Sequence, residues 1–198
     1  MLKAMLVLAF LGLLLMSEEK AKKFDTEGIK PPVFALIIVT WSNEINVDVD
    51  LHLRCPTGEM VNYVRREACF ANLERDARGK TSDWSIVDGK RVEVVNNREV
   101  VSFRNPVPGE WFVSVHWYNG QHPDPVAVRI EIIRLEPSVQ TVFTREVVLK
   151  KPFSEESVVR FQMNPDRSLS QFDHDHPRLL LKPTVNNNRR PSGEQPTQ

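Results

Sequence analysis

Cysteine is scarce, and the two present, Cys55 and Cys69, fall into no CxxC pair or other metal-ligand spacing. That excludes a thiolate-held zinc, and neither residue sits in a nucleophile signature. An excess of one charge is also missing, since 26 Lys and Arg balance 26 Asp and Glu. With no Lys/Arg run interleaved with aromatics, the electrostatic footprint of a nucleic-acid binder is absent, and we expect no nucleic-acid partner. No G-x-S-x-G elbow or candidate oxyanion loop appears, so Ser114 and His116, which share one strand face, lack the surroundings of a hydrolase. Paired acids do not make a glycosidase without a cleft to hold them. We therefore expect no enzyme and no catalytic residues.

A long apolar run is lacking too. The stretch from Ala4 to Met16 follows Lys3 and ends in Ser17, Glu18 and Glu19. As a helix rising about 1.5 Å per residue it reaches roughly 20 Å, short of a hydrocarbon core of about 30 Å. An uncleaved anchor in the cytoplasmic membrane, a cleaved signal peptide and a buried core helix remain in competition. The basic start and apolar stretch suit a signal, but small residues at a cut site do not follow. We favour an anchor over 1–19, followed by a charged, Pro-containing linker over 20–32.

What is abundant beyond Pro32 is β-strand pattern. Short β-branched runs alternate with period two in "FALIIVTW", "NVDVDLHL", "MVNYV", "REVVSF", "WFVSVHWY", "VAVRIEIIRL", "TVFTREVVLK" and "SVVRFQM". Turn residues separate them, and an Asp88-Gly89 pair between "WSIV" and "RVEVV" marks a hairpin. About eight to ten strands without intervening helices predict an all-β fold, an antiparallel β-sandwich over 33–164. Pro, Asn, Ser and charge dominate 165–198, which we expect to be a mostly disordered tail. "RLLLKP" within it is a short apolar patch fit to dock on the sandwich or on a partner.

Within the sandwich, "DVDLHLRCPTGE" (48–59), "LERDARG" (73–79) and "VPGEWFVSVHWY" (107–118) follow in a fixed order. Together they resemble an uncharacterised family of bacterial extracytoplasmic β-sandwich proteins. Its members carry D-x-D-L-x-V-x-x-P-x-G, then L-D-R-D, then P-G-x-Y-x-V-x-V. The variant with one membrane helix before the domain is similar to proteins encoded beside proton channels of the flagellar-stator and Tol/Exb type. The resemblance covers about residues 30 to 165. It implies a single-pass protein with its sandwich on the periplasmic side and a protein partner in a membrane complex. Glu74 stands where the family has Asp, and the apolar segment lacks the aspartate of proton-conducting subunits, so no direct role in conduction is implied.

Alternation places Val47, Val49, Leu51 and Leu53 on one face of a strand and Asn46, Asp48, Asp50 and His52 on the other. Two aspartates two residues apart can share one cation, and "LERD" repeats the arrangement with Glu74 and Asp76. If the segments meet, Asp48, Asp50, Glu74 and Asp76 supply four hard oxygen donors suited to calcium. The competing account has Arg54, Arg65, Arg75 and Arg78 neutralise the acids. Cys55 and Cys69 are either a disulfide, if the domain lies outside the cytoplasm, or two buried thiols. His174 and His176 in "FDHDHP" form an H-x-H pair in the tail, where solvation is the plainer use. Trp111 and Trp117 share a face with Val113 and Val115, which favours core packing over a sugar-stacking platform.

The function expected is a non-enzymatic, membrane-anchored accessory or binding subunit. A secreted carbohydrate- or surface-binding module is the first alternative, and a calcium-stabilised envelope or virion structural protein the second.

Overall fold

The computed structural model describes residues 32–79, 84–105, 107–123, 125–175 and 180–181. The apolar segment Ala4 to Met16, most of the linker and most of the tail, with His176, lie outside them. Among the described residues no helix is long and apolar enough to cross a membrane.

Thirteen strands are found among the described residues. They are β1 (Ala35–Trp41), β2 (Asp48–Arg54), β3 (Met60–Val61), β4 (Glu67–Ala68), β5 (Ala71–Arg75), β6 (Trp84–Val87) and β7 (Lys90–Glu93). There follow β8 (Arg98–Phe103), β9 (Gly109–Asn119), β10 (Val126–Arg134), β11 (Gln140–Leu149), β12 (Glu155–Met163) and β13 (Leu169–Asp173). One antiparallel sheet has the order β11-β10-β1-β8-β5-β4 and the other β13-β12-β9-β2-β3. The all-β, antiparallel, sandwich-like fold expected from the period-two runs is therefore present. β3 is confined to the first two residues of "MVNYV", and the strands without a period-two run in the sequence are the two-residue β4 and the polar-rich β5 and β13, which carry too few apolar residues to show an alternation.

The core forms where the inward faces meet. Ala35, Ile37, Val39 and Trp41 of β1 face Trp111, Val113, Val115 and Trp117 of β9 within one buried cluster. Phe103 of β8 meets Trp111 edge-on at 5.1 Å between ring centroids, and Phe161 of β12 stacks on Trp111 at 6.5 Å. Buried indoles need an acceptor. Trp41 donates to Val47 O at 2.9 Å, Trp111 to Val107 O at 3.1 Å and Trp117 to Asn119 O at 3.0 Å. Trp111 and Trp117 are core residues, not a binding platform.

Two parts stand apart from the sheets' interiors. The hairpin β6–β7 belongs to neither large sheet. Asp88 and Gly89 turn it with φ of 49° and 74°, the left-handed pair a two-residue type I′ turn requires. It leaves Trp84, Ile86, Val87 and Val92 exposed. β13 lies within the stretch whose composition reads as tail, held by Arg160–Asp173 at 2.6 Å and by Phe172 stacked on Phe143 at 5.4 Å. Farther on, the Leu180 and Leu181 N–H groups donate to the Glu155 carboxylate at 2.8 and 3.1 Å, so part of "RLLLKP" docks on the sandwich.

Cys55, just past β2, is joined in a disulfide to Cys69, in the turn between β4 and β5, with Cα atoms 6.3 Å apart.

Candidate cation site

β2 carries the centre of the site. Val49, Leu51 and Leu53 point into the core as alternation requires, but the opposite row is not wet: Asp50 is 3% exposed and His52 1%. In the antiparallel register Asp50 lies opposite His116 of β9, which puts Asp50, His52 and His116 on one face. The His116 Nδ1 to Asp50 Oδ2 distance is 3.9 Å, an electrostatic contact too long for a hydrogen bond.

The other edge of β2 supplies a further acid. β3 pairs with β2 only at Leu53 and Arg54, so the Leu51 N–H finds no strand partner there. Glu99 of β8 fills the gap, accepting that N–H through Oε2 at 2.6 Å. Glu99 alternates with Val101 and Phe103 and is 1% exposed. Asp76, just past β5, completes the group. One carboxylate oxygen each from Asp50, Asp76 and Glu99 lies within 4.8 Å of the others, and so do the ligand atoms of Asp50, His52 and His116.

An open pocket of about 710 Å³ leads to this group, lined by Asn46, Asp48, Asp50, Asp76 and Arg78. Tyr63 and Tyr118, with rings 5.3 Å apart, line it as well. The glycine at 120 is needed for the backbone to pass here: φ is +87°, and a Cβ would meet Asn46 O and come within 2.9 Å of Val47 Cα.

The electrostatics are those of acids short of cations. Asp48 Oδ1, Asp50 Oδ2, Glu99 Oε1 and both ring nitrogens of His52 are buried without a hydrogen-bond partner. Burial, with the Asp50 and Asp76 charges added, raises Asp48 from 3.8 to about 7. Burial likewise raises Asp50, against the pull of His116, and drives Glu99 well above the usual carboxylate range, with Asp50 and Asp76 adding to it. His52 is pushed down to about 4 by burial and by the nearby His116, so its imidazole is neutral at pH 7. Such a set suits a divalent cation, which would supply the missing positive charge and use the unpartnered oxygens.

The candidate acids divide. Asp48, Asp50 and Asp76 converge, whereas Glu74 does not join them. A register shift between Leu73 and Arg75 interrupts the alternation of β5. Glu74 instead accepts from Ser102 Oγ at 2.5 Å and from Arg104 at 2.9 Å. Glu99 takes its place, a residue the reading of the sequence passed over although its position between apolar neighbours of like parity was the signal. Of the four candidate arginines, Arg65 pairs with Glu59 at 2.5 Å and Arg75 donates to Asn96 O at 2.9 Å. Arg78 reaches Asp76 at 4.0 Å, joined by Arg66 at 3.5 Å. Both arginines are largely exposed, and the Arg78 charge also pulls on Asp48 and Asp50 without offsetting the effect of their burial. Ser114 is buried and donates to Glu155, not to a histidine.

Comparison with protein-family models, with curated proteins and with solved structures returned no match.

Proposed function

We propose that the protein is a non-enzymatic extracytoplasmic binding module, held to the cytoplasmic membrane by residues Ala4 to Met16, that serves as an accessory subunit of a membrane complex. Its working part is a pocket centred on a divalent cation, calcium in the carboxylate set of Asp48, Asp50, Asp76 and Glu99. The observation that carries this reading is the row of buried carboxylate oxygens without partners at the floor of an open pocket. Burying like charges unpaired is costly, and a protein keeps such a group where a ligand compensates it. The Cys55–Cys69 bridge supports an oxidising compartment outside the cytoplasm. The engagement of Ser114 by Glu155 supports a non-catalytic role. The exposed apolar side chains of the β6–β7 hairpin offer a protein partner a contact surface.

Calorimetry and thermal melting of chelator-treated protein test the cation. Calcium should release or absorb heat with one site per chain and raise the Tm, and Asp50→Asn should abolish both effects. No heat and no Tm shift would remove the reading. Fractionation of tagged protein tests the anchor: recovery with the membranes is expected, while soluble periplasmic protein lacking residues 1–20 would replace the anchor by a signal peptide. The half-exposed pair Tyr63 and Tyr118 at the pocket favours one alternative, a secreted carbohydrate-binding module. Retention on a glycan array that depends on both tyrosines and on calcium would promote it.

A further inference from the structure

We infer that Asp50, His52 and His116 form a second cation site, beside the carboxylate set and sharing Asp50 with it, that takes a divalent transition ion of the zinc class. The inference rests on the reading of this pocket as cation-holding and adds an ion of different chemistry. Two imidazoles and one carboxylate are a donor set that calcium, which takes oxygen ligands, does not favour, whereas zinc, nickel and copper do.

Strand geometry makes the set. Asp50 and His52 are two residues apart on β2, and His116 stands opposite Asp50 on β9, so all three project from the same sheet face. One ligand atom from each lies within 4.8 Å of the other two, and the two imidazole centroids are 5.9 Å apart. Small rotations would bring them to the ~3.4 Å separation that tetrahedral bonds of ~2.1 Å need. Burial supplies an independent pointer. His52 is 1% exposed, yet neither of its ring nitrogens has a partner. A buried imidazole ordinarily finds two. Asp76 and Glu99, each with a carboxylate oxygen within 4.8 Å of one of Asp50, are further acids beside the ion. Three protein ligands leave a coordination position for a water or a small anion entering from the pocket.

The test uses the full chain freed of metal by a chelator, titrated with zinc chloride and, separately, calcium chloride. Zinc should bind wild-type protein, and the imidazole nitrogen resonances of His52 and His116 should shift on addition. His52→Gln and His116→Ala should each weaken zinc at least tenfold while leaving calcium within about twofold, and Glu99→Gln should weaken calcium and spare zinc. His174→Ala with His176→Ala should leave zinc binding intact. Zinc affinity unchanged in both pocket-histidine variants, or lost in the tail double variant, would overturn the site. Should a pocket-histidine variant fail to fold, the wild-type resonances decide, and shifts confined to His122, His174 and His176 overturn it equally. Zinc binding without calcium binding removes calcium from the proposed function and leaves this site standing. Calcium binding without zinc does the reverse.

Discussion

Replacing Asp48 by asparagine is expected to stabilise the metal-free protein, by an amount that grows with pH. Asp48 titrates near 7 in the folded chain, against 3.8 for an unburdened aspartate. The folded state thus holds this proton more tightly than the unfolded state does. Below about pH 4 both states are protonated and the carboxylate costs nothing. As pH rises from about 4 to 7 the unfolded chain ionises first, stability falls, and above about 7 the loss is complete. A shift of about 3 units at about 1.4 kcal/mol each is ~4 kcal/mol. Because Asp48 is only half-buried, water screens its neighbours, and we take about half of that, ~2 kcal/mol. Asparagine does not titrate, and Oδ1 has no hydrogen bond to lose. His52 acts in the opposite sense, its folded value of about 4 making stability rise with pH up to about 6.5. That contribution is common to both proteins, so it cancels in the difference. Urea denaturation followed by tryptophan fluorescence, with chelator at about pH 4.5, 6 and 8, should show the advantage of the Asp48→Asn variant rising from ~0.5 to ~2 kcal/mol. Saturating calcium should reverse it, because at a hundredfold excess over Kd a bound ion adds about 2.7 kcal/mol to the wild type. A difference that is flat with pH, or that favours aspartate without metal, would refute the argument that the cluster lacks a counter-charge.

Three further outcomes follow from single features. Cys55 and Cys69 close a loop across 14 residues, so replacing both with alanine should cost about 3 kcal/mol in urea denaturation, and a loss under about 1 kcal/mol would mean the bridge restrains little. Glu99→Gln should keep an acceptor for the Leu51 N–H and, by the linkage that applies to Asp48, stabilise the metal-free protein above about pH 5, whereas Glu99→Ala strands that N–H and should fall about 1–3 kcal/mol below Glu99→Gln by the same assay. Gly120→Ala should lose more than about 2 kcal/mol, because a positive φ and a collision with the Asn46–Val47 backbone add together; Gly89→Ala, with nothing within 4 Å, should lose only about 1 kcal/mol, and equal losses would refute the clash.

What the sequence could and could not reveal about the site separates along a physical line. Period-two alternation correctly assigned the two faces of β2, since side-chain direction on a strand is a local property. Whether the outward row was wet is not local. Asp50 and His52 are buried, which no window around "NVDVDLHL" discloses. The same limit explains Glu74. A reading from spacing pairs it with Asp76, but the register shift in β5 is imposed by the pairing with β8, and the two acids part there. His116 needed the register of β2 against β9, a long-range fact, before it met Asp50. Glu99 is different, because its signal was local. In "REVVSF" it shares parity with Val101 and Phe103, two residues that a strand of this kind turns inward. An acid on that row must enter the interior, and an acid in the interior must find a donor, a proton or a cation. One oxygen of Glu99 finds the Leu51 N–H; the other has no partner among the described residues, and with Asp50 and Asp76 close by, that remainder is what points to a cation.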